Sequence, residues 1–191
     1  SRVAPGKFKI RLSYGEVQKE TQITLLPNPN IEATTADFDA QQKLLIKIDS
    51  ALSNIHSSVN LMRNVQSQLQ FYIKTLKGNQ TYAQLIEKAE AIDKQLIDWE
   101  TNLIQPNQKT FQDVINFNNK LNAEWMYLKG FVDSEYPKVT QGAKDRFKDL
   151  LAKWKIHQNK LTVLIEDEFS AFEILFKSME VPALLIPELI D

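Results

Sequence analysis

The sequence predicts a mainly α-helical protein: an elongated up-down bundle of about four helices, two of them long, behind a short N-terminal β-hairpin. Three observations carry this. Apolar residues recur at steps of three and four over two stretches of about forty residues each. Only 5 Gly and 7 Pro interrupt 191 residues, and most lie at the ends or between the periodic segments. The first twenty-five or so residues alternate with a period of two instead.

In the hairpin, Phe8, Ile10 and Leu12 alternate with Lys7, Lys9, Arg11 and Ser13. Tyr14-Gly15-Glu16 supplies a turn, and Val17, Lys19, Thr21, Ile23 and Leu25 alternate with Gln18, Glu20, Gln22 and Thr24. A lone two-stranded hairpin is marginal in water, so this one is expected to pack on the helices, on a partner, or on strands outside the sequence. Pro27-Asn28-Pro29-Asn30 ends it as a stiff linker. The expected division is residues 1–30, a hairpin remnant of a β-sandwich domain with its linker, and residues 31–191, a helical domain.

Thr34 or Thr35 with Asp37 in the first turn opens the first helix. Leu45, Ile48, Leu52, Ile55, Val59, Met62, Leu69, Ile73 and Leu76 form its stripe, with Gln66 in the one gap. A helix of about forty residues spans roughly 60 Å. The second helix is expected from about Thr81 to Ile104, with Leu85, Ile86, Ala89, Ile92, Leu96, Trp99 and Leu103 inward and Pro106 as its stop. Residues 106–120 read as a polar connector with a helical turn or two. The third helix covers about Asn118 to Ser134, with Leu121, Trp125, Leu128 and Val132 inward. Pro137 and Gly142 bracket a loop. The fourth carries Phe147, Leu150, Leu151, Trp154, Leu161, Leu164, Ile165, Phe169, Phe172, Leu175, Phe176 and Met179. Pro182 is its expected stop, and the apolar tail Ala183 to Asp191 is expected to pack back on the bundle or continue onward.

Composition excludes several functional classes. Lys plus Arg is 23 and Asp plus Glu is 24, for a formal charge of −1. A nucleic-acid partner usually selects a basic excess, and there is none. No run of eighteen apolar residues predicts a membrane span. With no Cys there is no disulfide, thiolate metal site or Cys nucleophile. The glycines are too few and too isolated for a phosphate-binding loop or a nucleophile elbow. The chain opens Ser1-Arg2-Val3 rather than with Met, which reads as a processed or engineered start inside a larger polypeptide.

No catalytic residue, metal site or cofactor is predicted. Neither His56 nor His157 has a carboxylate three or four positions before it, as a helical metal motif would need. Glu166-Asp167-Glu168 lies within a helix, where consecutive side chains diverge by about 100°. Trp99, Trp125 and Trp154 all fall in apolar stripes, the usual place of a core aromatic. Asn116, Asn118, Asn119 and Asn122 form the most unusual cluster, and turns or caps explain most such concentrations. If a binding patch exists, Asn116, Asn119, Asn122 and Trp125 are its candidates.

Several segments together resemble one family. Ile115-Asn116-Phe117 through Lys120-Leu121-Asn122-Ala123 resembles the signature LNFPxRLNxKL. Leu128, Val132, Asp133 and Ser134, then Pro137 and Thr140, resemble its continuation LxxxVxxxDxxPT. Phe169, Phe172, Leu175, Val181 and Pro182 resemble the closing FNxLLxxxGVP. Upstream, Ala36-Asp37 with Gln41, Leu45 and Asp49-Ser50-Ala51-Leu52-Ser53 resembles ADLQAQFDLALxLRDALS. Pro5-Gly6-Lys7-Phe8-Lys9-Ile10-Arg11-Leu12 resembles the strand PGTYTVRL. These belong to the C-terminal helical region, and the last hairpin of the preceding immunoglobulin-like domain, of bacterial sortilin-like or BNR (Asp-box) repeat glycosyl hydrolases. Asn118-Asn119-Lys120 departs from the family's Pro-x-Arg.

The resemblance implies an exported bacterial protein (periplasmic, outer-membrane-associated or extracellular) with β-propellers and an immunoglobulin-like domain upstream as intramolecular partners. It carries no catalytic residue onto this chain. The expected role is therefore a non-catalytic structural or interaction module, with a homodimer through the long helices or the hairpin edge as a further partner. The alternatives are a small-molecule or glycan-binding bundle and a helical enzyme using His157 and Glu166.

Overall fold

The computed structural model describes residues 2–182. It is mainly helical, with one two-stranded antiparallel sheet at the front. Strands β1 (Gly6–Tyr14) and β2 (Val17–Leu25) are joined by the two-residue loop Gly15-Glu16. Gly15 has φ of 56° while Glu16 stays at negative φ. A glycine at the first loop position is what a II′ hairpin turn demands, and that turn matches the strand twist. The pairing runs from Tyr14↔Val17 to Gly6↔Leu25.

This register sorts the side chains by chemistry. Phe8 lies opposite Ile23, Ile10 opposite Thr21, and Tyr14 opposite Val17. Leu12 lies opposite Lys19. Directly opposed residues share a face, so one face is mainly apolar, with Lys19 and Thr21 among its members, and the other holds Lys7, Lys9, Arg11 and Glu20. Glu20 bridges Arg11 and Lys9: Arg11 Nε donates to it at 2.6 Å and Lys9 Nζ lies 3.0 Å away. Exposed pairs of this kind contribute under about 1 kcal/mol. In the linker, Asn30 N–H donates to Asn28 Oδ1 and Ile31 N–H to Asn28 O, an Asx turn around the second proline.

Helix α1 runs Thr35–Leu76, 42 residues. Thr34 is its N-cap. Its hydroxyl accepts from Asp37 N–H at 3.2 Å, and Asp37 Oδ2 accepts from Thr34 N–H at 2.8 Å, a capping box closed by Asp. The amide and hydroxyl of Thr34 hold the Asp37 carboxyl below its ordinary pKa. The predicted stripe is buried throughout except for Ile73, which is half-buried. Gly78 at φ 89° ends this segment, and a 3-10 turn at Gln80–Tyr82 leads into α2, Ala83–Leu103. Of the predicted α2 stripe only Ile86 is less than fully buried.

Residues 104–120 form the expected connector, with one 3-10 turn at Phe111–Ile115. Helix α3 covers Leu121–Val132 and buries Leu121, Trp125, Leu128 and Val132. It starts three residues later than the sequence suggests, because connector amides hold the backbone just before it. Helix α4, Gln141–Val163, starts one residue before Gly142, so that glycine is no loop boundary. Thr140 caps the helix through Ala143 N–H at 3.1 Å, and glycine costs little in such a first turn.

From α4 the helix continues through a π-helical stretch, Leu164–Phe169, into α5, Ser170–Ser178. It ends at Met179, with Glu180 at φ 48°, before Pro182 is reached. The buried side of this segment is narrower than the sequence suggests. Leu150, Trp154 and Leu164 are buried, but Leu151 stands exposed beside Leu150 and Leu161 is half-buried. Ile165, inside the π-helical stretch, is exposed as well. The wider π turn breaks the regular 100° step and shifts the side chains of α5 around the axis relative to a regular helix. The expected packing of the tail 183–191 lies outside the described residues.

By packing, the described chain forms two compact units. One combines the chain up to Leu52 with Trp125–Asp149, the other Ser53–Glu124 with the chain from Leu150 onward. The first unit buries Leu45, Ile48, Leu52, Trp125, Leu128, Val132 and Pro137. The second buries Ile55, Val59, Leu85, Ala89, Ile92, Leu96, Leu103, Leu150 and Trp154. Full burial of one such side chain contributes about 1.5–3 kcal/mol.

Candidate functional site

The asparagine-rich segment is built by local hydrogen bonds. Thr110 and Asp113 form a capping box for the 3-10 turn, and Asn116 ends it through its N–H to Asp113 O at 3.0 Å. The backbone amides of Thr110 and Lys109 hold the Asp113 carboxyl below its ordinary pKa. Gln105 Nε2 donates to Asn118 O at 3.1 Å, and Gln108 Nε2 donates to Phe117 O at 3.3 Å and Asn119 Oδ1 at 3.4 Å. Asn122 Oδ1 accepts from Ala123 N–H at 2.8 Å in the first turn of α3. Asn116 and Asn119 are exposed and Asn122 half-buried.

Trp125 is fully buried, with its ring edge-on to Phe147 at 5.4 Å between centroids. It therefore offers no stacking platform to a ligand, and the polar-aromatic patch lacks its aromatic member. The Trp125 indole N–H is buried without a hydrogen-bond partner among the described residues. Asn119 does border a recess of about 210 Å³, with Asn102 and the Lys153–Glu124 pair at 3.1 Å.

A larger opening in the second unit is a groove of about 600 Å³ beside the π-helical stretch. Asp98, Asn102, His157, Asp167 and Glu168 reach its walls. His157 O accepts from the buried Trp99 indole at 2.9 Å. Its ring is half-buried, and Nδ1 has no partner among the described residues. Burial, helped by Lys160, pushes the imidazole pKa below its ordinary value. Glu168 is engaged by Lys88 Nζ at 2.6 Å. Glu166 is exposed and is not among the residues that line the groove. The pairing of His157 with Glu166 is thus not assembled. His56 is exposed.

Among the described residues no cluster of three or more His, Asp or Glu side chains could hold a metal ion. No helix among them is long and apolar enough to cross a membrane. The groove therefore gathers one imidazole, the Asp98 and Asp167 carboxylates and an ion-paired Glu168, with no Ser or Thr hydroxyl among its described lining residues.

Two surfaces of the first unit are more distinctive. The apolar face of the hairpin is open: Ile10, Leu12, Tyr14, Val17, Ile23 and Leu25 are all exposed, and Phe8 is half-buried. Among the described residues no third strand joins either edge. On α3, Met126, Tyr127 and Phe131 also stand exposed, on the side away from its buried stripe. That second surface was missed in the sequence. Its signal was there in α3 itself, where apolar residues lie on all sides of one twelve-residue helix.

No protein-family model, no curated protein and no solved structure matches this chain.

Proposed function

We propose that this chain is a non-catalytic structural module: a helical C-terminal part of a larger exported bacterial polypeptide, tied to β-structured upstream domains through its hairpin. The observation that carries it is the hairpin of residues 6–25, whose apolar face is exposed and whose outer edges are unpaired among the described residues. Exposed strand edges and apolar faces are liabilities that folded proteins cover or blunt. Here the other face is polar and charged, with Glu20 bridging Arg11 and Lys9, a surface that water solvates, which leaves the apolar face as the one to be covered. Completion by strands of an immunoglobulin-like domain accords with the resemblance of Pro5–Leu12 to the last strand of such a domain. The sortilin-like or BNR-repeat parentage, the β-propellers and the export rest on that resemblance.

Hydrogen exchange tests the role of the hairpin. In the isolated 191-residue chain the amides of residues 7–24 should exchange much faster than the core of α1, because two strands alone protect weakly. In the parent polypeptide they should become protected. Protection in the isolated chain equal to that of α1 would show that nothing further covers the hairpin, and would remove the support for this role.

A further inference from the structure

We infer that the outer face of α3 is a self-association surface, through which a second copy of this chain docks in a two-fold, antiparallel helix crossing centred on Gly130. The residues that carry it lie outside the hairpin. Met126 and Gly130, and Tyr127 and Phe131, each lie one turn apart on adjoining rows of the helix, and all four are exposed, Tyr127 at 82%. Glycine in a helix interior is less favourable than alanine because of its backbone freedom. A Cβ added at Gly130 would meet nothing within 4 Å, so no contact among the described residues requires a glycine there. What a glycine does permit is close backbone approach by something outside, and helices cross at 8–10 Å according to the side chains at the contact.

The same face carries both halves of a fit. One turn before Gly130 stands the Tyr127 ring. Just past it opens a cavity of about 450 Å³ whose walls include Phe131, Ser134, Tyr136 and Pro137. In an antiparallel crossing at Gly130, residue 127 of one copy lies level with residue 133 of the other, beside this cavity. Each copy then places its tyrosine into the partner's cavity, the mutual relation that a two-fold interface requires.

Area and charge agree with this occupant. Met126, Tyr127, Phe131 and the exposed Tyr136 present on the order of 600 Å². With the cavity walls this approaches the roughly 800 Å² per partner of a standard interface. Of the charges bordering the face, Lys129 pairs with Asp49 at 2.7 Å and Arg2 with Glu135 at 3.7 Å, while Lys138 lines the cavity wall. A net charge of −1 sets no barrier between copies.

Sedimentation of the full chain from about 1 to 100 μM should show a reversible dimer. Phe131→Lys should raise its dissociation constant at least about tenfold with an unchanged circular dichroism spectrum. Gly130→Gln separates docking from folding. It should raise the melting temperature measured at monomeric concentrations, because glutamine is the better helix former, and weaken the dimer at least about tenfold. A chain that stays monomeric over the whole range overturns the inference, as does a dimer that neither substitution weakens.

Discussion

The side-chain amide of Gln41, buried on α1, donates to Val132 O at 2.7 Å and to Ser134 O at 2.9 Å. One glutamine thus satisfies a carbonyl at the end of α3, where a helix leaves its last carbonyls without partners, and fastens residues 91 and 93 positions apart in sequence. Gln41→Leu keeps the volume but strands the amide's acceptors. It should cost about 1–3 kcal/mol, read as a lower urea midpoint at unchanged m-value.

Charge placed in the stripes should separate buried positions from half-buried ones. Leu52→Asp and Leu150→Asp each bury an unpaired carboxylate and should unfold the protein or cost several kcal/mol. Leu161→Asp meets a half-buried site and should be markedly milder. Thermal melts of the three variants test this order, and equal losses would place Leu161 in the core.

Acidification should weaken the fold through His157. Its pKa is lowered in the folded chain, so the unfolded chain takes up the proton first as pH falls. Stability from the neutral ring is complete above the ordinary imidazole pKa of about 6.5 and is lost as pH drops through the lowered folded value. His157→Gln should flatten the melting temperature between about pH 7 and pH 5 relative to the wild type. Asp37 and Asp113 act lower on the scale and with the same sign, losing their cap contributions as they protonate.

The proposed structural role has a catalytic consequence. Glycosidases use two carboxylates roughly 5–9 Å apart across a sugar-sized cleft. The purified chain should turn over no aryl glycoside, and a chelator should leave its melting temperature unchanged. Turnover abolished by a single Asp167→Asn or Glu168→Gln substitution would move an active site into the groove beside the π-helical stretch.

By itself the sequence determined the local elements. Period-two alternation around Gly15 specified the hairpin and its faces, because strand side chains alternate strictly and the turn has few chemistries. Three-and-four spacing specified the stripes of α1, α2 and α3 almost residue by residue, Gln66 included, because burial selects one side of a helix. Periodicity could not report the π turn at Leu164–Phe169, which depends on packing, nor how narrow the covered side of α4 is, which left Leu151 and Ile165 exposed and Leu161 half-buried. Nor could it separate a core tryptophan from a ligand platform: Trp125 became core only when Phe147, 22 positions on, closed over it. Exposure of Met126, Tyr127 and Phe131 likewise depends on which neighbours reach α3. Contacts between residues distant in the chain are set by tertiary packing, and those contacts decided which apolar faces were covered and which were left open to a partner.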